Sequence, residues 1–224
     1  MNFEEHAAKP LLAGAGIAIP QGRLARTPGE AEQAAASLGP VMVKAQVPAG
    51  KRGKAGGIKP ADTPDQARQA AEHILGMEIG GHTVEGVLIE ERKPIERELY
   101  AAVLTDAASK GPLVMFSTEG GMDIEEVAAA SPEKLKKAAV DIRAGLGTEA
   151  ARDLVSGLGL GPAEGAVAET LAKLYAAYRA MDAELLEINP LAVTGDGRVV
   201  ALDCKLVMDD SGIKRQADSA PLGT

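Results

Sequence analysis

The chain of 224 residues has no tryptophan, three tyrosines and two phenylalanines. So few aromatic side chains (Phe3, Tyr100, Phe116, Tyr175, Tyr178) cannot supply a row of stacking platforms for nucleobases, which argues against nucleic acid as a partner. The single cysteine, Cys204, cannot form an internal disulfide, in keeping with a reducing cytoplasm. It falls in the apolar run 199–204 and reads as a buried small side chain rather than a nucleophile. No apolar stretch approaches the roughly 18 residues of a membrane span, and the opening Met-Asn-Phe-Glu-Glu lacks the basic and apolar parts of a signal sequence. The three histidines, His6, His73 and His82, share no ligand spacing, so none is assigned to a metal. The expectation is a cytoplasmic protein that contacts neither membrane nor nucleic acid.

What the chain does have is small aliphatic material: 46% of its residues are hydrophobic, enough for one large domain or two small ones with an interior of Ala, Val, Leu and Ile. Against a formal net charge of −8, positive charge is concentrated in one place, the stretch 43–59, VKAQVPAGKRGKAGGIK. Glycines at 50, 53, 56 and 57 let backbone N–H groups approach an anion, and Lys44, Lys51, Arg52 and Lys54 add full charges around the same turn. That is the chemistry of a polyphosphate cradle. It is not a P-loop, because no Gly-Lys-Ser/Thr follows, and not a dinucleotide fingerprint, because no GxGxxG opens a helix after the strand. A flexible basic surface loop without a ligand fits the same residues equally well.

Helix starts are legible. Thr27-Pro28-Gly29-Glu30 and Thr63-Pro64-Asp65-Gln66 each put Thr at the N-cap, Pro first and Glu or Gln third, predicting capping boxes and helices over 27–38 and 63–75. Ser131-Pro132 marks a third start. A strand at 41–47 lies between the first two helices, and Val, Leu and Ile with interspersed charge predict strands near 87–90, 98–104 and 113–116, the first two separated by Arg92-Lys93-Pro94. Ala-rich sequence from 123 to 181 reads as helical, broken at 157–161; strands follow at 183–189 and 198–204, and the polar end reads as frayed. This order favours α+β layers with antiparallel sheets over a doubly wound parallel fold.

Glu187 and Asn189 are two apart and face one side of an extended chain. If the hairpin folds symmetrically about Asp196, Asn189 lies opposite Asp203, bringing two oxygen-bearing side chains onto one face about 5 Å apart at the backbone. Such a pair suits Mg²⁺, which takes one or two protein oxygens and completes its shell with water and phosphate. The same residues also fit a reading without metal, in which Asn189 caps a turn before Pro190 and Asp203 is solvated at a strand edge. Glu90 and Glu98, flanking the turn at 92–97, could accept hydrogen bonds from a ribose or an adenine amino group, or could simply be exposed.

Taken in order, these stretches resemble the nucleotide-binding half of the β subunit of succinyl-CoA synthetase, an ATP-grasp protein. The resemblance rests on Val43-Lys44-Ala45-Gln46-Val47 with the loop 50–57; on Leu88-Ile89-Glu90 and Glu98-Leu99-Tyr100; on Ser117-Thr118-Glu119-Gly120-Gly121; and on Glu187-Ile188-Asn189-Pro190-Leu191 with Leu202-Asp203-Cys204-Lys205-Leu206. It implies an ATP-grasp fold of two α+β subdomains with mainly antiparallel sheets enclosing a nucleotide site: a smaller lid over 20–105, and a larger Mg²⁺-binding part made of 1–19 and 106–206. It further implies that Lys44 contacts phosphate, that Lys51, Arg52 and Gly53 close over it, that Glu90, Lys93 and Glu98 belong to the nucleotide site, and that Asn189 and Asp203 hold Mg²⁺. The implied cofactors are ATP and ADP, or GTP and GDP, with Mg²⁺. The implied partner is an α subunit carrying CoA and the histidine that takes the phosphoryl group, and the implied activity is ADP-forming succinate–CoA ligation. Malate–CoA ligase is the enzymatic alternative, and a regulatory nucleotide-binding module without phosphoryl transfer is the alternative of another class. Two departures stand out: Lys51 occupies a place where the family often has glycine, and Glu4-Glu5-His6-Ala7-Ala8-Lys9 matches the family's opening only loosely. The family's C-terminal flavodoxin-like domain has no counterpart in this sequence, which reads as a natural split subunit or a fragment.

Overall fold

A computed structural model describes residues 1–224. In chain order the elements are β1 (Asn2–Phe3), α1 (Glu5–Gly14), β2 (Gly22–Ala25), α2 (Pro28–Leu38), β3 (Val41–Gln46), β4 (Ile58–Ala61), α3 (Pro64–Ile74), β5 (Glu78–Ile79), β6 (His82–Thr83), β7 (Gly86–Glu91), β8 (Ile95–Asp106) and β9 (Gly111–Ser117). They continue with α4 (Ile124–Ala130), β10 (Leu135–Ala139), α5 (Thr148–Val155), α6 (Glu164–Ala180), β11 (Ala183–Thr194), β12 (Val199–Ala201) and β13 (Lys205–Met208). Contacts divide the chain into two compact units, one of Met1–Asn2, Lys9–Ile19 and Pro94–Gly223, the other of Phe3–Ala8 and Pro20–Lys93 with Thr224. The break falls at Lys93 and Pro94 rather than near 105, because β8 pairs with β9 and β11 and so belongs to the larger unit.

The smaller unit is an antiparallel four-stranded sheet in the order β2-β7-β3-β4 with α2 and α3 packed on it and on each other. Period-two alternation decides which face is covered: Val41, Val43 and Ala45 of β3 and Val87 and Ile89 of β7 enter the core beneath the helices. The helices meet that face with Ala31, Ala34, Ala35, Ala67, Ala70 and Ala71, so this core is built almost wholly from short side chains. Thr27 accepts a hydrogen bond from the Glu30 N–H while the Glu30 carboxylate takes the Thr27 N–H, a complete capping box. At α3 only half of the expected box forms: Thr63 caps the Gln66 N–H, but the Gln66 side chain accepts from Asp62 instead.

The larger unit centres on antiparallel strands in the order β13-β11-β8-β9-β10, with β12 also paired to β11. Helix α6 packs against β8 and β11 and carries α5 on its side. The expected helix after Ser131-Pro132 shrinks to a single 3-10 turn at Pro132–Lys134, and the next residues form the edge strand β10 against β9. Leu-Lys-Lys-Ala-Ala has no local preference for a strand; pairing with β9 imposes it, and the lysines suit a sheet edge. The polar end is not frayed either. Lys205–Met208 is the strand β13, Asp210–Arg215 forms a 3-10 helix, Arg215 pairs with Asp182 at 2.8 Å, and the terminal ammonium of Met1 meets Asp210 at 2.6 Å.

Candidate functional site

In the smaller unit, the sheet face opposite the helices carries Lys44 and Gln46 of β3 and Leu88 and Glu90 of β7. Lys44 stands opposite Leu88 and Met42 opposite Glu90, so Lys44 and Glu90 are diagonal neighbours on one face. The Lys44 ammonium donates to Glu90 Oε2 at 2.5 Å and to Glu5 Oε1 at 2.9 Å. Arg52 in the glycine loop donates through Nη1 to Glu5 Oε2 at 2.8 Å and to the Ala45 carbonyl at 2.9 Å. All four charged residues are buried: Glu5 and Glu90 are 2% exposed, Lys44 and Arg52 6%. Burial of this kind is tolerable only because each charge is paired and hydrogen-bonded. Gln46 extends the network, its amide donating to the Lys44 and Ala45 carbonyls and accepting the His6 N–H at 2.8 Å.

The loop after β3 is ordered by its own backbone. Gly57 donates to the Arg52 carbonyl, and the Ala45 N–H donates to the Gly57 carbonyl at 2.7 Å. A side chain at 57 would meet Ala45 Cβ at 3.0 Å and Ile79, so only glycine fits. Lys51 takes φ 63°, and Lys51, Gly53 and Lys54 are exposed, whereas Arg52 turns inward to Glu5. The equal basic ring around an anion that the sequence suggested is therefore split, with one cation internal and two outside. Lys93 is half-buried and paired with Glu91 at 2.6 Å. Glu5 was overlooked in the sequence, although Glu5, Ala8 and Leu12 stand at i, i+3 and i+7, which places a carboxylate in the apolar stripe of α1.

In the larger unit the hairpin folds symmetrically about Asp196, as expected. Leu191 pairs with Ala201 on one side of Asn189, and Glu187 with Lys205 on the other. Asn189 and Asp203 thus occupy facing positions in a register that is continuous from β12 to β13. The Asn189–Pro190 bond is cis. The Asn189 amide is fixed at both ends: Oδ1 accepts the Gly121 N–H at 2.8 Å, and Nδ2 donates to the Met122 carbonyl at 2.8 Å. That orientation is unique, since reversing the amide would set N–H against N–H and carbonyl against carbonyl. Asp203 Oδ1 accepts the Cys204 N–H at 2.7 Å. No group of three or more His, Cys, Asp or Glu residues is arranged to hold a metal, so a cation here would rest on few protein oxygens.

Glu98 lies exposed on β8, and its carbonyl accepts the Gly120 N–H at 3.0 Å. The turn of Gly120 and Gly121 sits so tightly on β8 that a side chain at 120 would strike the Leu99 backbone and one at 121 the Glu98 carboxylate. Beside Asn189 on the same strand, Glu187 accepts the Tyr100 hydroxyl at 3.0 Å. Burial raises the Glu187 pKa above the ordinary carboxylate range, partly offset by that hydrogen bond and by Lys205. Burial and the Glu187 charge push the Tyr100 phenol far above its ordinary value. Of the residues singled out from sequence, Lys44, Arg52 and Glu90 thus gather about one charge cluster in the smaller unit, and Asn189 and Asp203 lie between strand pairings of one register in the larger; Lys51 and Gly53 are exposed on the loop, Lys93 pairs with Glu91, and Glu98 is exposed on β8.

Two antiparallel α+β units, one with a glycine loop and a buried lysine, the other with an Asn-Asp strand pair, are the parts of a nucleotide-binding fold. The profile of the ATP-grasp domain matches residues 2–193, and the chain belongs to that family. More particularly, it is 47% identical over 99% of its length to the β subunit of the GDP-forming succinate–CoA ligase of Thermus thermophilus. It is 49% identical over 98% of its length to the ADP-forming counterpart of Rubrobacter xylanophilus. The chain spans 59% and 58% of those two proteins, somewhat over half their length. Among solved structures it is similar in fold to a dinucleotide-forming acetyl-coenzyme A synthetase of Ca. Korarchaeum cryptofilum, with TM-score 0.78, 21% identity and 93% of each chain covered. It also resembles the ATP citrate lyase of Methanothrix soehngenii, with TM-score 0.76, 24% identity, and coverage of 97% of this chain and 53% of that one. No helix of the chain is long and apolar enough to cross a membrane.

Proposed function

We propose that the chain is the nucleotide-binding part of a nucleoside-diphosphate-forming acid–CoA ligase, with succinate as the acid. The observation that carries this reading is its near-half identity, along almost its whole length, to succinate–CoA ligase β subunits. Those relatives include GDP-forming and ADP-forming enzymes, so a purine nucleoside triphosphate is proposed without choosing the base. The α subunit is the proposed partner, carrying CoA and the histidine that receives the phosphoryl group before it passes to succinate.

In this reading Lys44 holds a phosphate oxygen, and its burial makes that contact worth more than it would be in water. The loop of Lys51, Arg52 and Gly53 supplies backbone N–H groups and charge at the same phosphates, while Glu90, Lys93 and Glu98 serve the rest of the nucleotide. Phosphoryl transfer needs positioning and charge neutralisation more than a nucleophile of its own, which suits a chain to which no reacting side chain is assigned. Asn189 and Asp203 would hold Mg²⁺. The fit is chemical: two hard oxygen donors occupy facing register positions, and the Asn189 oxygen, fixed by Gly121, keeps a second lone pair beyond its one N–H contact. When bound, the metal would neutralise phosphate charge.

The test is calorimetric titration of the 224-residue chain with ADP and GDP, with and without Mg²⁺, repeated on Asp203→Ala and Lys44→Gln. Mg²⁺-dependent binding that both substitutions abolish is expected. Binding that ignores Mg²⁺ and survives Asp203→Ala would overturn the metal assignment. Supplying the α subunit with labelled ATP should then give an acid-labile, base-stable phosphohistidine on that subunit, and its absence would favour the regulatory reading.

A further inference from the structure

The smaller unit buries two cations and two carboxylates in one cluster, yet the phosphate-binding role proposed above uses only the cations and Glu90. Glu5 is left over, and its geometry is specific. One carboxylate oxygen accepts Lys44 Nζ at 2.9 Å and the other accepts Arg52 Nη1 at 2.8 Å. Lys44 is fixed on a central strand, whereas Arg52 belongs to a loop whose neighbours Lys51, Gly53 and Lys54 are exposed. Glu5 is therefore the side chain that ties the loop cation to the strand cation. Its own backbone is fixed independently, because the next N–H, that of His6, donates to Gln46 on the same strand at 2.8 Å.

We propose that Glu5 is a positioning residue for the phosphate site: its carboxylate bridges Lys44 and Arg52, sets their separation, and folds the glycine loop against β3 before nucleotide arrives. The proposal rests on the reading of this unit as a nucleotide-phosphate site and adds a residue to it. A carboxylate suits the task where a neutral side chain does not. It offers two acceptor oxygens to two donors and sets a negative charge between two buried positive ones. Glutamine keeps the shape but presents an N–H to one of the cations, so one tie must break. Aspartate keeps the charge but is one methylene shorter, and reaches one cation at a time.

Two consequences follow for the loop and the ligand. Without Glu5, Arg52 keeps its bond to the Ala45 carbonyl but loses its ionic anchor, so the loop is held to β3 less firmly and the bonds after Lys51, Arg52 and Lys54 become more accessible to trypsin. The phosphates of an incoming nucleotide then meet a looser loop, and ordering it lowers affinity. This loss acts on the polyphosphate and spares the nucleoside, so it is read in the ratio of ADP to AMP affinity. A merely structural defect would lower both in proportion.

The experiment uses the 224-residue chain, with Glu5→Gln, Glu5→Asp, Arg52→Gln and the double variant Glu5→Gln/Arg52→Gln. Each is first checked for cooperative unfolding, then assayed for tryptic cleavage in the loop without ligand and for ADP and AMP affinity by calorimetry with Mg²⁺. The expected result for Glu5→Gln is loop cleavage about tenfold faster and an ADP to AMP affinity ratio about tenfold lower, with Glu5→Asp between it and the parent. In the Arg52→Gln background the Glu5 substitution should change the ratio less than threefold, because its effect runs through Arg52. If Glu5→Gln cannot be folded, Glu5→Asp and the double variant, whose remaining Lys44–Glu90 pair is balanced, decide the matter by the same readouts. A loop as resistant as the parent's, or an unchanged affinity ratio in a chain that binds ADP, overturns the role of Glu5 and leaves the nucleotide site standing. Failure of the parent to bind ADP overturns the site itself, and with it this role.

Discussion

Lys44 is the keystone of the charge cluster, and replacing it with methionine, which has similar length and no charge, should destabilise the smaller unit sharply. Two carboxylates lose the ammonium they share, at 2.5 and 2.9 Å. At an effective dielectric of about 20, a pair at such a distance attracts by roughly 6 kcal/mol, most of it offset by the desolvation already incurred on folding. Breaking a buried pair by removing one partner costs about 3–5 kcal/mol. The value should not double for two carboxylates, because Arg52 remains beside Glu5 at 2.8 Å. The double variant Lys44→Met/Glu90→Gln leaves the balanced pair of Glu5 and Arg52, and should recover more than half of the loss. All three tyrosines, Tyr100, Tyr175 and Tyr178, lie in the larger unit, so tyrosine emission is blind to this change. Guanidinium unfolding followed by far-UV circular dichroism, with hydrogen exchange of the β3 amides, reads it directly. A loss below about 1 kcal/mol, or a double variant weaker than the single one, would refute the view that these charges are buried and mutually dependent.

Thr27→Ala removes the N-cap of α2 and should cost about 1 kcal/mol in urea unfolding, whereas Thr63→Ala should cost less, since Gln66 keeps its own contact to Asp62. Gly120→Ala would drive a methyl group into the Leu99 backbone; about 1–3 kcal/mol of stability should be lost, and Mg²⁺-dependent ADP binding measured by calorimetry should weaken because Gly121 holds Asn189. Glu187 has a folded-state pKa above its unfolded value, so its contribution to stability is complete below the unfolded pKa and is lost as pH rises through the folded one. Glu187→Gln, which still accepts the Tyr100 hydroxyl, should abolish that decline, and unfolding curves from about pH 4 to 8 should diverge in favour of the variant toward the alkaline end.

Local chemistry made much of this molecule readable. Thr-Pro-x-Glu announces α2, because the cap, the fixed proline φ and the third-position carboxylate act within one turn. The turn at Gly195, Asp196 and Gly197 likewise dictates the pairing of β11, and the register it sets reaches Asn189 and Asp203 without a slip. What stayed hidden depends on distant neighbours. β10 is made a strand by β9, against the preference of Leu-Lys-Lys-Ala-Ala. Glu5 looked like one more acidic residue near the start of the chain; only the fold brings it to Lys44 and Arg52, which are 39 and 47 positions away. Lys51, Arg52 and Lys54 look alike as letters, and their separation into one inner and two outer cations comes from the loop's backbone and from Glu5.

The short side chains at the interface of α2, α3 and their sheet make the smaller unit asymmetric in what it can accept over time. Alanines that are almost wholly buried, such as Ala31, Ala35, Ala67 and Ala71, have hardly any volume to lose, and helices resting this closely on strands leave none to gain. A change to valine or leucine at any of them must push elements apart, at about 1–3 kcal/mol each, while trimming Ile89 to valine removes a single carbon at about 0.5–1.5 kcal/mol. Drift in this half of the protein should therefore run toward smaller residues on the strands and stand still on the helices. A library that enlarges those four alanines should be depleted of folded members before one that trims the strand isoleucine to valine.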